Sequence, residues 1–119
     1  IVYLRPEATV KEAMDLINEY KFTRTPVVRE NSDKVEGILY SKDVLGCESG
    51  QVKDFMREPK FVKNNEEITD VFKWMKRNRI HMAIVEGENE GFDGIITLED
   101  IIEELVGEIY DEFDEEMLH

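Results

Sequence analysis

Two stretches of this chain, GILYSKDVL at 37–45 and GIITLEDII at 94–102, share a glycine, an apolar run and an aspartate six residues after the glycine. Gly37 and Gly94 are 57 positions apart, as are Asp43 and Asp100. Working outward, the apolar runs TPVV (25–28) and MAIV (82–85) are also 57 apart. Further upstream Val10, Met14 and Ile17 align with Ile68, Phe72 and Met75 at a separation of 58. A one-residue length change is therefore expected in the turn between helix and strand, where such changes are tolerated. Matched elements in one order read as an internal duplication rather than as chance resemblance of apolar segments.

Each half reads helix, strand, turn, strand, helix. In TVKEAMDLINEY, Val10, Ala13, Met14, Ile17 and Tyr20 fall on one helical stripe, and Thr9 followed by Glu12 has the pattern of a capping box. TPVV is a strand whose Pro26 suits an edge or a strand start. The polar loop RENSDKVE, the strand GILY and a short helix from Ser41 follow. In the second half Ile68, Val71, Phe72, Trp74 and Met75 mark the helix, MAIV and GIIT the strands, and EGENEGFD the loop between them. REPKFVKNN joins the halves, with a short strand expected at Phe61-Val62. The fold class is α+β: two helix-strand-strand-helix units packed as a pseudo-twofold pair. The expected division is 1–58, first unit with linker, and 59–119, second unit with an extended acidic C-terminal helix. In that helix Leu98, Ile101, Ile102, Leu105, Val106, Ile109 and Phe113 keep helical spacing, opposite Glu99, Glu103, Glu104, Glu108, Asp111 and Glu112. An amphipathic, half-solvated helix is the simplest account. Turns beyond Gly107 have little of this domain left to cover and are expected to dock on a neighbouring domain or subunit.

Composition bounds the function. In 119 residues, 28 acids against 15 bases give a formal net charge of −13. That excess argues against a nucleic-acid partner, which needs clustered Lys/Arg, and against adsorption to an anionic membrane. The single Cys47 cannot form an internal disulfide. No apolar run approaches the roughly 18 residues of a membrane span. The chain begins IVYLRPE without an initiator Met, as expected of a fragment.

The two quoted stretches also carry the chemistry. Thr97 opens a helix at a strand exit with Asp100 three residues on. T-x-x-D is a helix-capping pattern that needs no ligand. The same geometry aims free amides and the positive end of a helix dipole at an anion, with a carboxylate available to the hydroxyls of a ribose. The residues alone leave both readings open.

Taken together, TRTPVV with GILYSKDVL and HMAIV with GIITLEDII resemble the CBS domain pair, or Bateman module, over nearly the entire chain. GIITLEDIIEELVGEIYDEFDEE, with the linker MREPKFV, is similar to the CorC/HlyC hemolysin-like and CNNM magnesium-transporter group. The resemblance implies a cytosolic regulatory module attached to a membrane-embedded domain upstream, with a further C-terminal domain hinted at by the long last helix. It implies magnesium or cobalt transport by the parent protein and a disc-like homodimer formed through the CBS modules. It also implies an adenine nucleotide, ATP or AMP, with or without Mg²⁺, in the cleft between the repeats.

Carried over residue by residue, Thr97 and Asp100 match ribose and phosphate contacts. Phe22, Arg24 and Pro26 in KFTRTPV match contacts to adenine and phosphates from the opposite repeat. Ser41, Asp43 and His81 match a second, pseudo-symmetric cleft. This is the weaker one, because Tyr40 stands where the other repeat has Thr97 and His81 is expected to replace Arg24. Phosphate donors are expected from Arg24, the helix start at Thr97, Lys42 and Lys63. Glu99 beside the phosphates repels bare ATP, and Mg²⁺ would relieve that.

Other signals are poor. Glu86, Glu88, Glu90 and Gly91 echo a calcium loop, but its twelfth position is Thr97 rather than Glu. His81 and His119 lack partners at zinc spacing, so no metal site is assigned. Cys47 has no His at a nucleophile spacing, and G-x-S-x-G and P-loop motifs are absent, so an enzyme is not expected. The competing binding-free reading is a structural dimerisation module with no bound nucleotide.

Overall fold

A computed structural model describes residues 2–32, 34–87 and 92–118, with side chains described outside 92–93 and 110–118. The central part of the 86–93 loop, the calcium-like residues Glu88, Glu90 and Gly91, and His119 lie outside the described residues. So do the side chains of Asp111, Glu112 and Phe113.

Helix α1 runs Val10–Tyr20. It starts where Thr9 Oγ1 accepts the Glu12 amide at 3.1 Å, satisfying one of the four orphan donors of a first turn. It ends at Lys21, whose backbone turns left-handed (φ 60) as its amide bonds Ile17 O. Val10, Ala13 and Ile17 are buried as their spacing requires. Tyr20, expected on the same stripe, is instead 47% exposed and stacks on Phe22. Strands β1 (Arg24–Val28) and β2 (Val35–Tyr40) form an antiparallel hairpin, followed by the single turn α2 (Ser41–Val44). Leu4 adds a parallel bridge to β1. Pro26 costs no ladder bond there: its carbonyl accepts from Leu4, and its partner Ile38 turns its own amide and carbonyl to Arg57.

The second half repeats this plan. Strand β3 (Phe61–Lys63) lies parallel to β4 (Met82–Glu86), which pairs antiparallel with β5 (Phe92–Thr97). Helix α3 (Ile68–Arg77) buries Val71 and Met75. Helix α4 (Leu98–Leu118) buries Ile101 and half-buries Leu98 and Leu105. Glu99, Glu103, Glu104 and Glu108 are exposed, as a solvated face requires, while Ile102, Val106 and Ile109 also stand in solvent. Among the described residues, no helix is long and apolar enough to cross a membrane.

The duplication is real, but its offset lies elsewhere than expected. Arg24 faces Tyr40 in one hairpin and Met82 faces Thr97 in the other, so the first strands are 58 positions apart and the second strands 57. The left-handed residues Lys21 and Arg79 repeat at 58 as well. Ser41 N–H bonds Thr23 O and Leu98 N–H bonds His81 O, both at 2.9 Å, which again pairs position 23 with 81. The length change therefore falls in the hairpin connection, not between helix and strand. There the ladder already slips at a bulge, between Val27 and Val28 in one hairpin and between Val85 and Glu86 in the other.

Among the described residues, three apolar clusters hold the chain. One lies within the first half around Val10, Ala13, Leu39 and Val44. A second lies within the second half around Val71, Met75, Ala83 and Ile101. The third draws on both, joining Val28, Val35 and Ile38 to Met82 and Ile84. The linker lies against the first hairpin, where Arg57 exchanges backbone hydrogen bonds with Ile38, both at 2.9 Å. A Cβ on Gly37 would come within 2.8 Å of Met56 Sδ and 3.0 Å of Arg57 O, whereas one on Gly94 meets open space. Gly37→Ala is expected to cost about 1–3 kcal/mol through overpacking and to lower Tm measurably. Gly94→Ala should stay within about 0.5 kcal/mol of the parent. Equal melting curves for the two variants would show that the linker yields freely.

Candidate functional site

The joined sheets leave an opening where the strands end. One cavity of about 510 Å³ takes Phe22, Thr23, Arg24 and Pro26 from the first half and Met82, Ile95, Thr97 and Glu99 from the second, with Val2 and Lys21 at its edge. Its floor of Pro26, Met82 and Ile95 is apolar. Phe22 presents a half-exposed ring backed by Tyr20, with centroids 5.5 Å apart and planes 7° from parallel. Such a face accepts a flat ring by offset stacking.

Arg24 supplies the charge. Its side chain is 19% exposed, and a guanidinium nitrogen lies 3.8 Å from a Glu99 carboxylate oxygen. The guanidinium carbon stands 5.5 Å from the centre of the Tyr40 ring. Arg24 Nε is buried with no hydrogen-bond partner, and a donor left in that state costs free energy until an acceptor reaches it. Glu99, 62% exposed in its side chain, approaches the terminal nitrogen Nη1 rather than Nε, and so leaves that donor unpaired. The part of the Arg24 side chain left exposed at the cleft presents positive charge to an anionic ligand seated there.

Thr97 acts as a cap in this structure, its Oγ1 accepting the Asp100 amide at 3.1 Å. The Leu98 amide is spent on His81 O at 2.9 Å. Two of the first amides of α4 are thus already used, which narrows the anion site expected at this helix start. Asp100 is not brought into the cleft. It is exposed and lines a separate outer groove with Glu103, Glu104, Gly107 and Glu108. Of the five residues expected in this site, the fold gathers Phe22, Arg24, Pro26 and Thr97.

The pseudo-symmetric opening is smaller, about 270 Å³, and is lined by Ile38, Tyr40, Arg57, Lys60, Asn78, Arg79, Ile80 and Met82 with Glu58. Strand register puts Met82, not His81, in the place of Arg24, correcting the expected substitution. His81 is half-buried, its Nδ1 lacks a partner, and it lies outside the residues lining this opening. Ser41 spends its amide on Thr23 O. Asp43 is held by Arg57 in a two-pronged pair, Nε to Oδ2 at 2.7 Å and Nη2 to Oδ1 at 2.9 Å. Those hydrogen bonds hold the Asp43 carboxyl below its ordinary range despite the opposing effect of burial, and raise Arg57 in return. The Arg57 guanidinium also sits 4.1 Å from the Tyr40 ring centre. Sequence reasoning missed Arg57, Met82 and Ile95. Only Met82 and Ile95 carried a signal, as apolar residues at matched strand ends. Among the described residues, no three metal-ligating side chains cluster.

A family model of the CBS domain matches residues 1–50 and 52–107. The magnesium and cobalt efflux protein CorC of Escherichia coli strain K12 is 37% identical over 121 residues, covering 98% of this chain and 41% of CorC. Hemolysin C of Brachyspira hyodysenteriae is 31% identical over 118 residues, covering 98% of this chain and 44% of its own. The chain thus spans 41–44% of the length of these curated relatives. The solved CBS domain of a bacterial CNNM/CorC family Mg²⁺ transporter in complex with ATP superposes with a TM-score of 0.84 at 38% identity, covering 90% of this chain and 80% of that one. Two linked repeats, each with the same hairpin and flanking helices, and sequence likeness across both halves lead to one assignment: the chain belongs to the CBS domain family, as a CBS pair of the CorC/hemolysin-like group.

Proposed function

We propose that this chain is the cytosolic regulatory module of a CorC-type membrane protein that moves magnesium or cobalt, and that it binds an adenine nucleotide between its repeats. The observation that carries the reading is Arg24: a cation, 19% exposed in its side chain, that lines a cleft built from both halves. The likeness to a CBS domain solved with ATP supports the same ligand class. In this reading Phe22 stacks on the adenine, Pro26, Met82 and Ile95 pack its edge, and Arg24 meets the phosphates. Thr97 Oγ1 already accepts an amide, so its hydroxyl hydrogen remains to donate to a phosphate or ribose oxygen. Asp100 reaches the ribose hydroxyls by turning from its outer groove toward the cleft.

A ligand held by Phe22 and Arg24 on one side and Thr97 on the other bridges the repeats, so occupancy biases how the halves sit together. That gives a physical route from nucleotide level to the membrane domain. The units are 1–58 and 59–119, and two copies pair through their CBS modules. Glu99 within reach of Arg24 makes bare ATP a poor fit and favours ATP carrying Mg²⁺, or AMP.

A nucleotide at 100 times its Kd should add about 2.7 kcal/mol of stability. Calorimetric titrations with ATP, ADP and AMP, each in EDTA and in millimolar magnesium, decide the ligand, and ATP is expected to bind more tightly with magnesium. Flat titrations with all three would leave the dimerisation scaffold as the function. Arg24→Ala should weaken ATP binding about 10- to 100-fold, the loss of one charged hydrogen bond of roughly 1.5–3 kcal/mol, with a smaller effect on adenosine. Asp100→Ala should weaken ATP and adenosine alike, because both carry the ribose. A lowered Tm with unchanged affinities would instead limit the Asp100 carboxylate to stabilising the positive end of the α4 dipole.

A further inference from the structure

The two openings are related by the internal duplication, yet one has about 510 Å³ and the other about 270 Å³. Two differences account for the contrast. Tyr40 stands in the second where Thr97 stands in the first. In addition, the linker lies over the first hairpin, where Arg57 is fixed to Ile38 by two backbone hydrogen bonds of 2.9 Å. The equivalent strand of the second hairpin has open space beside Gly94, where Gly37 meets Met56 and Arg57.

The side chain of Arg57 then reaches into the smaller cleft. Its guanidinium stands 4.1 Å from the Tyr40 ring centre and forks onto both oxygens of Asp43 at 2.7 and 2.9 Å. Tyr40 lines this cleft and offers a face to a base, while Asp43, outside the lining residues, offers a carboxylate to the vicinal ribose hydroxyls by turning toward the opening, as Asp100 must at the larger cleft. Both are engaged by the one guanidinium, a planar cation suited to stacking and to bidentate pairing.

We propose that Arg57 is a built-in occupant of the second cleft: the linker supplies a guanidinium that takes the place of a nucleoside between Tyr40 and Asp43, so the tandem repeat keeps a single working site. The inference rests on the nucleotide reading of the larger cleft, but its test is a difference between two proteins. The backbone bonds of Arg57 to Ile38 do not involve its side chain, so Arg57→Ala retains the linker's path.

The experiment is calorimetric titration of the parent chain, of Arg57→Ala and of Arg57→Ala/Tyr40→Leu with AMP, with melting curves of each as a check on folding. Arg57→Gln takes the place of Arg57→Ala if the alanine variant does not fold. The expected result is one AMP per chain for the parent, two for the single variant and one again for the double variant. Equal stoichiometry in parent and single variant, or two sites already in the parent, overturns the proposal. A parent that binds no AMP argues against the larger cleft alone; the single variant must still gain one site over it, and no gain overturns the proposal there too.

Discussion

Burial of Val28, Val35 and Ile38 against Met82 and Ile84 is the contact on which the molecule depends. Each half alone offers a small sheet with one helical layer, and two or three short strands are marginal in water. Packing the two sheets together through these side chains removes them from solvent at roughly 25 cal/mol per Å² of apolar surface. Joining the sheets in this way sets the ends of β1 and β5 side by side. Phe22, Arg24 and Pro26 then face Ile95 and Thr97 across a gap that neither half possesses by itself.

Much of this was legible in the chain, for identifiable reasons. Helical spacing of Val10, Ala13 and Ile17, and of Val71 and Met75, announced the faces that are buried. The recurrence of glycine and aspartate exposed the duplication and pointed to the strand exits where the cleft lies. The offset was misplaced because TPVV and MAIV are short apolar runs, and apolar runs align equally well one residue apart. Only hydrogen-bond register distinguishes 57 from 58, and it moves His81 out of the position of Arg24. Tyr20 fell off the expected stripe because, in the last turn of α1, it pairs with Phe22 rather than the core. The Arg57–Asp43 pair joins residues 14 apart with no periodic relation, and nothing in their spacing announces it. Asp100 showed the limit of motif reading, since a capping pattern places the Thr97 hydroxyl and the Asp100 amide but does not fix where the carboxylate points.

Electrostatics here is local rather than global. The chain carries a formal −13, yet among the described residues the larger cleft is lined by two cations, Lys21 and Arg24, and one carboxylate, Glu99. Much of the acidity resides on the exposed flank of α4, where Glu103, Glu104 and Glu108 stand in solvent. Exposed charges beyond roughly 8 Å are largely screened at physiological ionic strength, so the potential felt by a phosphate is set by the cleft wall.

The one-residue difference between the hairpin connections has a consequence of its own. Arg24 and Tyr40 sit at one end of their hairpin, and Val28 and Val35 at the other, next to the bulge. The one-residue difference lies beyond that slip, away from the strand ends that frame the cleft. A one-residue difference between the hairpin connections thus leaves the spacing of the residues around the cleft unchanged.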